Sequence, residues 1–82
     1  MHEYSLVQSM FDQIESVVRA QGAIAVRRVR VKIGSMAGVE PELFRTAYDV
    51  FRIKTICEDA PLEIEPAPSD ELILEQVELE VP

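Results

Sequence analysis

The sequence predicts an α+β fold, with two helices packed on one face of a three-stranded β-sheet in the order α-β-α-β-β. Three observations predict it. Apolar residues recur at helical spacing in two segments, 6–18 and 43–51. They alternate with period two in three others, within 26–33, 61–65 and 77–81. Placing both helices on one face of the sheet covers every one of those apolar stripes.

The first helix is expected from residue 3–5 to 21. Leu6, Val7, Met10, Phe11, Ile14, Val17 and Val18 form its apolar stripe, and Asp12, Gln13, Glu15, Ser16 and Arg19 its polar face. Ser5 with Gln8 offers a capping box, and Gly22 a natural stop. In VRRVRVKI (26–33), Val29, Val31 and Ile33 point inward while Arg28, Arg30 and Lys32 point outward. Gly34 ends this strand, and GSMAG is a connection. Helical spacing resumes in 39–55, with Pro41 at the first helical position and Glu40 and Glu42 at the positive end of the dipole. Leu43, Phe44, Ala47, Tyr48 and Phe51 are its expected buried stripe. PLEIEPAP (61–68) gives a short strand with Leu62 and Ile64 inward, ended by prolines. The closing strand lies in 72–81, with Val77, Leu79 and Val81 inward and Gln76, Glu78 and Glu80 outward.

Eighty-two residues make one small domain, 1–82, with no internal repeat. The net charge of -7 argues against nucleic acid as a partner, and no apolar run is long enough for a membrane span. The single cysteine excludes an internal disulfide and any CxxC motif, and fits a cytoplasmic protein. From Glu58 onward there are nine acids and no Lys or Arg, whereas Arg27, Arg28, Arg30 and Lys32 cluster. Cross-strand pairing of Arg28, Arg30 and Lys32 with Glu63, Glu65, Glu78 and Glu80 would account for that split. A partner-binding face is the other reading.

The chain opens MHEYS, against the start of the first helix. Met1 supplies an amine, and His2 an imidazole plus a backbone amide nitrogen that a strongly binding metal can deprotonate. Linked by consecutive bonds, these donors close two fused chelate rings, and the Glu3 carboxylate is available as a fourth ligand. Nitrogen donors flattened by a planar amide suit Ni(II) or Cu(II), whereas zinc prefers a tetrahedron. The bland reading is a solvated terminal histidine. No nucleophile–base pair, phosphate loop or catalytic carboxylate pair is present, and the only histidine is terminal, so the chain does not read as an enzyme. Cys57 reads as a small, partly buried residue and Met36 as a loop residue, each a weak candidate ligand.

MHE at the start, S-x-V-Q-S on the first helix and VKIGSMAGVEPELF further on resemble the HypA/HybF family of nickel metallochaperones. The resemblance runs in continuous register from residue 1 to about 66, and ELILEQVELEV looks like the family's closing strand. It implies a nickel-binding domain of two helices and three strands, with Ni(II) held at Met1, His2 and Glu3. It implies delivery to [NiFe]-hydrogenase precursors, and sometimes urease, alongside a nickel-handling maturation GTPase and the hydrogenase large-subunit precursor. Family members carry a zinc domain with two CxxC pairs between the last two strands. Here that place holds only EPAPSDE (65–71), and Cys57 matches neither pair, so no structural zinc is expected. The short loop reads either as an excised zinc domain or as a natural reduction. The chain is expected as a monomer or, because a short loop favours exchange of the last strand, as a strand-swapped dimer. The alternative to a metallochaperone is a metal-independent protein-interaction module, which would be indifferent to a blocked N-terminus.

Overall fold

A computed structural model describes residues 2–82. β1 (Ala25–Gly34) is the central strand; β2 (Leu62–Ala67) pairs with it in parallel and β3 (Leu72–Glu80) antiparallel, giving the order β2-β1-β3. A parallel pair needs a crossover, and α2 (Pro41–Phe51) supplies it between β1 and β2. α1 (Glu3–Gln21) packs beside α2. The predicted order and architecture are those observed.

One apolar cluster holds the layers together. α1 contributes Val7, Met10, Phe11 and Ile14; α2 contributes Phe44, Ala47 and Tyr48; β1 contributes Val26, Val29, Val31 and Ile33. Phe11 stacks on Tyr48 at a centroid distance of 5.5 Å. The Tyr48 hydroxyl and Arg52 Nη1 both donate to the Ala60 carbonyl, at 2.8 and 2.9 Å, and Arg45 Nη1 donates to that of Leu62 at 2.8 Å. Three side chains of α2 and its C-terminal end thus hold the return segment that leads into β2.

The β1–β3 register contains two irregularities. Val26 faces Leu79 but Arg28 faces Glu78, so Arg27 is an extra residue on β1. Arg30 faces Gln76 but Val31 faces Leu74, so Glu75 is an extra residue on β3. Each is a β-bulge that changes which alternate residues face the core. Val26 is therefore buried on the same face as Val29, and Leu72 and Leu74 face inward together with Val77 and Leu79. Val81 lies beyond the strand and is exposed, contrary to the expected alternation.

The bulge also decides the charge pairing. Arg28 reaches Glu63 at 3.4 Å, Arg30 sits between Glu63 and Glu75 at 3.9 and 3.7 Å, and Lys32 reaches Glu75 at 3.2 Å. Basic-to-acidic pairing across the strands is as expected, but Glu75 takes the place foreseen for Glu65 and Glu78. The Glu75 carboxylate, by hydrogen bond and charge, raises the pKa of Lys32. Arg27 pairs with Glu80.

Helix ends follow local chemistry. Gly22 takes the left-handed conformation at φ 63°, with its amide and that of Ala23 bonded back to the last turn of α1. The capping box at Ser5 does not form, because the helix begins earlier, with His2 as N-cap. α2 is shorter than its apolar spacing predicts and ends at Phe51, followed by turns in which Lys54 adopts φ 61°. Leu43, expected in the buried stripe, is 55% exposed: it lies on the flank of α2, beside the stripe of Phe44, Ala47 and Tyr48.

Candidate metal centre

His2 and Glu3 stand at the entry to α1. His2 is the N-cap, at φ −96° and ψ 82°, and its imidazole makes no capping hydrogen bond. The side chain is exposed, while its carbonyl accepts the first helical bond from the Leu6 amide at 3.2 Å. Among the described residues the imidazole thus takes no part in capping the helix. The amides of His2 and Glu3 precede the first helical hydrogen bond, so no intrahelical bond depends on them.

Glu3 is different. It lies one turn before Val7, on the buried stripe of α1, and is the buried charged residue among those described. Its Oε2 accepts a hydrogen bond from the Glu40 amide at 3.2 Å, across 37 positions of sequence. Glu40 is the N-cap of α2, held extended ahead of Pro41, and its own Oε1 accepts from the Glu42 amide at 3.3 Å. The Glu3 carboxylate thus lies at the positive end of both helices, where negative charge is favoured. The hydrogen bond from Glu40, then the nearby amide of Glu3 itself, hold this carboxyl below its ordinary pKa.

That shift has a consequence for acid stability. A carboxyl whose folded-state pKa is depressed stabilises the fold fully above its unfolded pKa, and loses that contribution as pH falls through the folded value. For metal-free protein, the melting temperature of the native chain should exceed that of Glu3→Gln at neutral pH. The gap should close as pH drops below the ordinary carboxyl range, as thermal melts followed by circular dichroism will show.

Met1, the third predicted ligand, lies outside the described residues. Of the predicted site, the structure brings His2 and Glu3 to one helix start. It adds Glu40, which the sequence placed only at the positive end of the second helix. Among the described residues, no three His, Cys, Asp or Glu side chains converge to hold a metal ion. A metal here would therefore draw on main-chain donors as well as side chains.

Cys57 is fully buried rather than partly so, and burial pushes its thiol up to about 11. A buried neutral thiol is a poor ligand and a poor nucleophile. A cleft of about 370 Å³ lies along the later turns of α1, lined by Phe11, Glu15, Val18, Arg19, Lys54 and Thr55 among others, and contains no histidine. No helix among the described residues is long and apolar enough to cross a membrane.

Residues 1–78 match the family model described as hydrogenase/urease nickel incorporation, metallochaperone, hypA. The chain is 44% identical over 68 residues to the hydrogenase maturation factor HypA of Shewanella baltica strain OS185, covering 83% of this chain and 58% of that protein. It is 41% identical over 68 residues to the factor of the same name from Nitrosospira multiformis, covering 83% and 59% respectively. The chain thus spans a little over half the length of these curated relatives. In fold it resembles the solution structure of the Ni metallochaperone HypA from Helicobacter pylori, with a TM-score of 0.85 and 24% identity over all of both chains. With residues 1–78 of 82 matched and relatives above 40% identity, this chain belongs to the HypA family.

Proposed function

We propose that this chain is the nickel-binding domain of a metallochaperone, which takes up one Ni(II) at Met1, His2 and Glu3 and passes it on for [NiFe]-hydrogenase maturation. The description of the matching family, which includes urease, supports the second recipient class. The partners in this reading are a nickel-handling maturation GTPase and the hydrogenase large-subunit precursor, in the cytoplasm. Only residues 68–71 join β2 to β3, so in this reading the nickel site is independent of the family's zinc domain.

The observation that carries the reading is the state of His2. It is exposed, it makes no capping hydrogen bond, and it is covalently joined to the buried Glu3 carboxylate. The amine of Met1, the amide nitrogen of His2 and its imidazole supply donors in consecutive positions, with Glu3 Oε1 as the carboxylate oxygen not bonded to Glu40. The positive end of α1 opposes a cation held by neutral ligands alone. The same field eases loss of an amide proton, and a deprotonated amide with the Glu3 carboxylate offsets the metal's charge. The site therefore favours metals that displace amide protons, Ni(II) and Cu(II), over zinc.

An exposed terminal site suits transfer, because an incoming protein can replace its ligands one at a time. Binding releases protons from the donors, so affinity falls on acidification. The test is nickel titration of tag-free protein beside the same chain with its N-terminal amine acetylated. Binding by the native start alone supports the assignment. Equal binding by both, or by neither, returns the chain to the metal-independent interaction module.

A further inference from the structure

The connection between β2 and β3 reaches the Glu3 carboxylate through a short segment tied at both ends. Gly34 closes β1, and a Cβ there would run into the backbone carbonyl of Ser69. The Gly34 amide donates to the Glu71 carbonyl at 2.8 Å, that of Ser35 to Ala67 at 2.7 Å, and that of Met36 to Ser69 at 2.9 Å. Three successive amides are thus spent on the 67–71 turn. Three residues later the chain has passed Gly38, at φ 73°, and seated Val39 against the core. The next amide, that of Glu40, donates to Glu3 Oε2 at 3.2 Å. Pro41 follows and fixes the direction of the chain.

We propose that the β2–β3 turn is a positioning element for the metal site, setting where the Glu3 carboxylate stands through residues 34–40. The inference rests on the nickel reading above and adds to it a determinant remote from the ligands. Only residues 37–39 separate the hold on Met36 from the hold on Glu3. A shift of the turn is therefore carried to the Glu40 amide rather than absorbed by slack. Glu3 cannot follow freely, because it belongs to the first turn of α1 and is packed into the core face of that helix. A displaced amide then deprives Oε2 of its Glu40 donor and lets the carboxylate shift. Groups that orient a metal ligand without touching the metal typically change affinity by about 10–100-fold.

Two variants of the full chain test this. Gly34→Ala forces the Ser69 backbone away. Insertion of two glycines after Ser69 loosens the same turn without a clash, and serves if the first variant does not fold. Each is made in the native and the Glu3→Gln background. Nickel affinity is measured by competition with a chromophoric chelator, and the Glu40 amide is followed by NMR in metal-free protein. The expected result is a shifted Glu40 cross-peak and about tenfold weaker nickel binding in the native background. In the Glu3→Gln background the turn variants should cost nothing further. Folded variants with unchanged affinity overturn the proposal, and so does a loss of equal size in both backgrounds, which marks a merely structural effect. The nickel reading fails by a different sign: a chain acetylated at its N-terminus that still binds as the native chain does, in which case the positioning role falls with it. A turn without influence beside an intact dependence on the free N-terminus refutes the positioning role alone.

Discussion

Acetylation of the Met1 amine is expected to abolish tight one-to-one nickel binding, with a loss of two orders of magnitude or more. Acetylation converts the amine into an amide and removes a donor from the first chelate ring. That loss concerns a ligand itself, so it exceeds the roughly 10–100-fold typical of outer-shell changes. His2→Ala should do the same by removing the imidazole. In neither variant should the fold suffer, because the imidazole makes no capping bond and nothing in the core depends on it. Calorimetry will read the affinity and far-ultraviolet circular dichroism the helix content. A His2→Ala chain that loses helix signal along with nickel would overturn the assignment of His2 as a ligand.

The second large effect is on stability. Phe44→Ala is expected to cost about 3–5 kcal/mol, the usual range for truncating a buried aromatic side chain. Phe44 is completely buried between α2 and the sheet. Folded domains hold about 5–15 kcal/mol in all, and those of this size fall toward the low end. Most of the stability should therefore disappear, and urea midpoints will measure it. Leu43→Ala, one position earlier but 55% exposed, should change stability by no more than about 0.5 kcal/mol. Nickel at about one hundred times its dissociation constant adds roughly 2.7 kcal/mol to any chain that binds it only when folded. It should restore part of the Phe44→Ala loss, and none of it once the N-terminus is blocked.

The element order and the helix stripes were legible because each rests on local periodicity. The proposed nickel donors could be named together for a different reason: they are consecutive in the chain, so their proximity is covalent and needs no fold. Glu40 was not legible as a neighbour of Glu3, because 37 positions separate them and only packing of the two helix starts joins them. The pairing of Lys32 with Glu75 was hidden by the bulge, which turns Glu75 toward the charged face. A signal was present: the inward residues run Val26, then Val29, and Leu74, then Val77. Spacings of three in a strand call for an extra residue, and reading them so would have located both bulges. Leu43 was misplaced because helical spacing alone does not tell the edge of a stripe from its centre.

The two bulges also govern what the sheet can join. They lie on opposite strands and shift the register in opposite directions, so the second undoes the first and β1 and β3 leave their ladder in the alignment with which they entered it. A slip of one residue would misplace both corrections and carry Arg28, Arg30 or Glu78 toward the core. The outer edge of β3 inherits the break at Glu75. A fourth strand approaching that edge would meet amides and carbonyls that fall out of step midway, and glutamates at 75, 78 and 80 alongside them. The irregularity that seats Leu74 and Val77 on one core thus makes the open side of the sheet a poor template for further strands.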